Sequence, residues 1–319
     1  MVTTDARVIV PGVLGALLCG GGIAVQARIN GELARELGDG YVAALISFVS
    51  GLLIVLVVLV FSRAGRRGVG VVRAELVARR IPWWLVAGGA AGALYVLSQG
   101  LAVGMLGIAV FTVAVVCGQA LSGILIDSRG IGSAPPRPIT AARIAGSVIM
   151  LGAVALVVST QFLGSVPLWA ILMSLAAGIA IAWQQAVNGQ VRVISGSPVT
   201  ATLLNMLLGS VLLVIATAVH ALVVGLPQSL PSNPVLYLGG LVGVTFIALG
   251  TILAPRIGVL LLALGTIAGQ LIVALLLDLV VPATGHPLTW TTVVGTALTL
   301  VALAIAALPA RANSGGPRP

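Results

Sequence analysis

Ten apolar runs constrain the chain more than any other feature: 8–29, 41–61, 83–103, 107–126, 140–160, 167–190, 199–223, 234–253, 258–280 and 289–308. Each can cross the roughly 30 Å hydrocarbon core of a bilayer as a helix of about 20 residues. The runs are apolar all round, without the alternation that a membrane-spanning barrel needs, so strands are excluded. Only 7% of the 319 residues are charged, against about a quarter in a soluble domain. The expectation is an all-α integral membrane protein with ten transmembrane helices.

All sixteen basic residues are Arg, and the net charge is +9. Such a balance can point to nucleic acid, but these Arg sit between apolar runs, where they set topology and meet anionic lipid headgroups. The expected partner is the lipid bilayer, with no nucleic acid. With the N-terminus inside, the cytoplasmic side holds Arg7, six Arg in a basic loop (Arg63, Arg66, Arg67, Arg73, Arg79 and Arg80), Arg129, Arg137, Arg143, Arg192, Arg256, Arg311 and Arg318. Only Arg28 and Arg35 fall outside, beside Glu32, Glu36 and Asp39. Both termini are therefore expected in the cytoplasm, and the Lys-free composition associates the chain with a bacterial inner membrane. Arg7 ahead of an apolar run resembles a signal peptide, yet residues 16–19 read Ala-Leu-Leu-Cys and lack the small residue expected before a lipoprotein cysteine. A retained helix is expected there. Cys19 and Cys117 lie inside apolar runs and read as small buried residues.

One stretch occurs twice, as Gln26-Ala-Arg-Ile-Asn30-Gly31 and Gln184-Gln-Ala-Val-Asn188-Gly189, 158 residues apart. At the same offset Gly20 matches Gly178, Ala43 matches Ala201 and Gly51 matches Gly209. Further on the offset is 151: Gly88-Gly89 matches Gly239-Gly240, Gly92 matches Gly243, Gly118-Gln119 matches Gly269-Gln270, and Asp127 matches Asp278. These matches imply internal duplication, with residues 1–160 as a first five-helix repeat, 161–310 as a second, and 311–319 as a disordered tail. Five is odd, so the second repeat enters the membrane inverted, the architecture of secondary transporters.

The Gly-rich first helix running into Gln-x-x-x-Asn-Gly, followed by a small-residue-rich second helix (Ala43, Ala44, Ser47, Gly51), resembles the YdcZ-type family of the drug/metabolite transporter (EamA-like) superfamily, in its fused ten-helix form. The resemblance implies the five-plus-five inverted fold and a transport function. It also implies a central cavity lined by helices 1, 3, 4, 6, 8 and 9, without naming residues or a substrate.

Polar groups in hydrocarbon usually face the bundle interior or an aqueous cavity. Gln119 and Gln270, at matched places in the fourth and ninth helices, are candidate contacts for a neutral or zwitterionic solute, since an amide both donates and accepts. Hydrogen bonding between helices is the competing reading. Gln99, Tyr95 and Trp183 are candidate cavity-wall residues, with Trp183 equally readable as packing, and Ser47 and Asn205 stand at matched places. Gln26 shares a helix face with Asn30, and Gln184 with Asn188. With Gly31 and Gly189 these form candidate gates or hinges at opposite membrane surfaces, or points where the helix ends or bends. Asp127 and Asp278 read as solvated helix ends, Glu32 and Glu36 as local partners of Arg28 and Arg35, and Thr140 and Thr289 as N-caps. No nucleophile–base set, metal cluster or buried acid pair is visible, so no enzyme, metal or cofactor is expected. The expected function is secondary transport, as exporter or facilitator, of a small organic solute by alternating access. Lipid or lipid-linked translocation and a non-transporting scaffold are the alternatives, and homo-oligomerisation is left open.

Overall fold

The computed structural model describes residues 6–131, 141–161, 167–257, 259–281 and 289–306. Pro135, Pro136, Arg137, Pro138, Thr140, His286 and the 311–319 tail lie outside them, as do the side chains of Arg7, Asp127, Arg143 and Arg256. Among the described residues every regular element is helical. The helices are α1 (Ala6–Leu37), α2 (Gly40–Phe61), α3 (Arg63–Val77), α4 (Gly88–Leu106), α5 (Ile108–Arg129), α6 (Ala141–Gln161), α7 (Leu168–Ser195), α8 (Pro198–Val224), α9 (Gly239–Ile257), α10 (Val259–Val280) and α11 (Trp290–Ala306). Short 3-10 turns at Trp83–Val86 and Pro234–Tyr237 precede α4 and α9. Among the described residues, six stretches are long and apolar enough to cross a membrane: Val10–Leu37, Gly40–Phe61, Trp83–Leu106, Ile108–Ile126, Leu168–Ser195 and Pro198–Val224. Three shorter apolar helices, Ile144–Ala153, Leu264–Val280 and Trp290–Ala302, accompany them.

Two expectations are corrected. Asn30-Gly31 and Asn188-Gly189 do not end their helices, because α1 continues to Leu37 and α7 to Ser195. The ends fall at Gly38 (φ 66°) and Gly196 (φ 65°), where the left-handed backbone favours glycine. The next helix starts at once. Asp39 accepts from the amides of Tyr41 (2.8 Å) and Val42 (3.1 Å), and Ser197 from that of Thr200 (3.5 Å). Thr289 caps α11 in the expected way, accepting from Thr292 N at 3.3 Å. Second, the basic loop is a helix, α3, opened by Ser62 Oγ accepting from Gly65 N at 3.0 Å. Its Gly65, Gly68 and Val72 are buried while its Arg are exposed.

Packing between the two parts of the chain is reciprocal. α1 lies along α9 and α10, α7 lies along α4 and α5, α2 meets α8, and α6 meets α11. Glycine brings backbones together at the seams. A Cβ on Gly20 would strike Thr266 O and Gln270 N; one on Gly178 would strike Val115 O and Gln119 N. Gly118 faces Leu175 O, and Gly269 faces Leu17 O. Every residue in these pairs maps onto its counterpart by the offsets of 158 and 151 found in the sequence. Close backbone approach of this kind holds helices together where lipid offers no hydrophobic drive.

Candidate functional site

The two Gln-x-x-x-Asn faces dock on glycine seats. On α1, Gln26 lies over Gly243 and Asn30 over Gly239; on α7, Gln184 lies over Gly92 and Asn188 over Gly88. Side chains at i and i+4 project from one face of a helix, and only Cβ-free positions opposite leave room for two amides. The seats were visible in the sequence as matched glycines, but nothing there paired them with the amides.

The first face is hydrogen-bonded. Gln26 Nε2 donates to Gly239 O at 2.9 Å, and Asn30 Nδ2 donates to Gln99 Oε1 at 2.6 Å. Asn30 and Gln99 are fully buried (0%), Gln270 is 1% exposed and Tyr95 3%. The Tyr95 hydroxyl faces the amides of Gln99 and Gln270 but closes no hydrogen bond of standard geometry with either. Asn30 Oδ1 and Gln99 Nε2 are likewise buried without a partner. Turning both amides over exchanges these two roles and still leaves one donor and one acceptor. The Tyr95 ring lies 6.5 Å from that of Phe111.

The second face is looser. Gln184 is buried and its Oε1 has no partner, and both amide atoms of Asn205 are buried and unpartnered beside it at Gly92. Asn188 and Gly189 are only half-buried, whereas Asn30 and Gly31 are buried. Gln119 is half-buried with an unpartnered Oε1, so it does not share the enclosed setting of Gln270. Trp183 packs with the Val72, Leu85, Val187, Val191 and Ala201 cluster, away from Tyr95 and Gln99. The structure thus gathers Asn30, Tyr95, Gln99 and Gln270 and leaves Gln119 and Trp183 outside the group.

Asp278 departs from its sequence reading. It is no solvated end: it is 6% exposed, and its carboxylate accepts from Ile108 N (3.1 Å) and Ala109 N (2.7 Å), capping α5 from α10. The amides that open α5 after Gly107 have no partner within the helix, and a carboxylate satisfies them best. Glu32 pairs locally with Arg35. His220 stacks on Tyr41 and stands 3.6 Å from Asp39. Among the described residues no group of His, Cys, Asp and Glu is arranged to hold a metal.

Among the described residues, six membrane-length helices, joined by glycine seams around buried neutral amides, define a multi-pass membrane protein. The chain belongs to the YdcZ-type family of the drug/metabolite transporter superfamily: the family model described as "Putative inner membrane exporter, YdcZ" matches residues 11–156 and 169–305. It is therefore an inner-membrane protein of a transporter family, which is not an enzyme class. No curated protein matches the chain. Seven chains of known structure do. One of them, a crystal structure described only as that of a protein, has a TM-score of 0.55 and 18% identity, covering 94% of this chain and 96% of its own. At that identity the likeness carries the fold alone.

Proposed function

We propose that the protein is a secondary transporter, in the exporting sense of its family's description, that moves a small uncharged organic solute by alternating access. In this reading ten helices, α1, α2, α4, α5, α6 and α7 to α11, form two inverted halves, residues 1–160 and 161–310, with both termini cytoplasmic and α3 at the membrane surface. The reciprocal glycine seams support the pairing of halves.

One closed end carries the mechanism. Near the end of α1, Asn30 bonds Gln99, a Cβ on Gly31 would meet Val103 at 2.6 Å, and Gly40 abuts Gly100, so α1 and α2 close over α4. In this reading the Asn30 end is shut, and an exchange of arrangements between matched helices moves the opening across the membrane. Asn30, Tyr95, Gln99 and Gln270, just beneath the shut end, supply the solute's hydrogen bonds, with Gln119 as a further contact along the path. All are neutral. An ionic solute would lose its hydration there without a counter-charge, at a cost of several kcal/mol. Gly31 and Gly189, with their Gln and Asn neighbours, act as the gates.

The test starts from metabolites compared inside and outside cells with and without the protein, which names the cargo. In a protein lacking Cys19 and Cys117, Gly31→Cys with Val103→Cys is then oxidised. Transport should stop and return on reduction. Undiminished transport with the pair cross-linked would overturn the gate assignment.

A further inference from the structure

The connection between α2 and α4 is the place where the two halves differ most, and α3 fills it. At about 100° per residue, Gly65, Gly68 and Val72 fall on one side of α3, and Arg63, Arg66, Arg67 and Arg73 occupy an arc of about 120° on the other. The buried side is fastened to α7 and α8. Thr200 Oγ1 donates to Gly65 O at 3.0 Å, a Cβ on Gly68 would meet Ser195 O at 2.9 Å, and Val72 joins Leu85, Val187, Val191 and Ala201 in one buried cluster. Val187 immediately precedes Asn188, so α3 is attached to the Asn188 end of α7.

The other side faces outward with charge and apolar bulk together. Ser62 caps both the end of α2 and the start of α3, which pins the start of α3 where α2 leaves the bilayer. The chain returns through Trp83, 75% exposed, with Phe61 at 82% and Val77 at 78% flanking the basic arc. Indole and aliphatic groups beside guanidinium groups suit the headgroup layer, where rings sit at the interface and Arg reaches phosphate. Two of the six Arg are already engaged: Arg66 donates to the Leu59 (3.2 Å) and Val60 carbonyls that end α2, and Arg80 pairs with Glu75 at 3.4 Å. Of the other four, Arg63, Arg67 and Arg73 lie on α3 and remain for lipid, and Arg79 follows the helix.

We propose that α3 is an anionic-phospholipid site whose binding braces the Asn188 end of α7 against the membrane surface. Headgroup phosphates hold α3 down, and through Val72, Gly65 and Gly68 the held helix limits how far α7 and the α7–α8 turn can part from their neighbours. Anionic lipid content thereby sets the freedom of that end of the bundle. The proposal stands whether or not the cargo path is as described above.

Hydrogen exchange on the full chain tests it, in nanodiscs of phosphatidylcholine alone and of phosphatidylcholine and phosphatidylglycerol in equal parts. Anionic discs should slow exchange at 63–77 on the order of a hundredfold, each free Arg contributing roughly fivefold, and should slow 187–201 to a smaller extent. Arg63→Gln/Arg67→Gln/Arg73→Gln, which leaves the capping Arg66 and the paired Arg80 in place, should abolish both effects. Val72→Ala, which loosens the seam without touching the charges, should keep the effect at 63–77 and lose it at 187–201. Equal exchange in the two discs, or a lipid effect that survives the triple substitution, would overturn the lipid site. Slowing confined to 63–77 in the unmodified protein would overturn the brace. Equal protection in neutral discs by a short RNA would assign the surface to nucleic acid instead.

Discussion

The two copies of the Gln-x-x-x-Asn-Gly face rest on equivalent glycine seats, yet their amides find different company. At the first, Gln26 and Asn30 are both bonded and buried. At the second, Gln184 Oε1 and both amide atoms of Asn205 are buried without partners, and Asn188 stays half-exposed. The cause lies in the opposing helix rather than in the motif. The offset of 151 carries Tyr95 to Phe246 and Gln99 to Gly250, so the second half has no amide or hydroxyl where the first has both. Duplication supplied the seats twice and the polar lining once. A buried orphan amide costs about 1–3 kcal/mol, which is a reason for that face to take up a polar solute.

The largest effects should fall where the copies are alike. Gly20→Val and Gly178→Val each drive a side chain into an opposing backbone carbonyl, and overpacking of that kind costs about 3 kcal/mol. The two unfolding midpoints in detergent should drop together. A large drop from one and none from the other would show that the seams are not equivalent.

Next comes the helix that carries Gln270. Asp278→Ala removes a carboxylate from two buried amides of α5 and should cost about 2 kcal/mol, with Asp278→Asn recovering part through one remaining acceptor oxygen. No difference between Ala and Asn would mean that the cap contributes nothing to stability.

How much of this could be read from residues alone follows a physical line. Apolar length fixes that a segment is a membrane helix, and glycines repeated at constant offsets mark where backbones must meet, so the helices and the seams were legible. The setting of Asp278 was not, because its partners are amides about 170 residues away and a terminal Asp carries no sign of them. The 63–80 stretch hid its helix because Arg and Gly dominate it; only packing of Gly65, Gly68 and Val72 on α7 and α8 makes the helix worth forming. Gln119 and Gln270 were legible as a pair but not as unequal, since the inequality comes from Tyr95 and Gln99 on a third helix.

The Asn pair sharpens the comparison at smaller cost. Asn30→Ala deletes the 2.6 Å bond to Gln99 and strands a buried carbonyl, so it should destabilise by about 1–3 kcal/mol. Asn188→Ala, at a half-exposed position, should stay within about 0.5 kcal/mol. Equal costs would mean that the second face closes as the first does.

The smallest and most discriminating effect is expected from the Gln pair. Gln26→Leu removes a buried hydrogen bond to Gly239 O and should cost about 1 kcal/mol. Gln184→Leu removes a buried carbonyl that has no partner, so desolvation is relieved and no bond to that oxygen is lost. Its stability should be unchanged or rise by up to about 1 kcal/mol. If that amide waits for solute, the same substitution should slow transport of the cargo while the protein grows no less stable, and Gln26→Leu should do the reverse, losing stability first. Thermal unfolding and initial uptake rates on the two variants separate the cases. A Gln184→Leu protein as destabilised as Gln26→Leu would mean that the second face has a partner of its own, and the contrast between the two copies would fall with it.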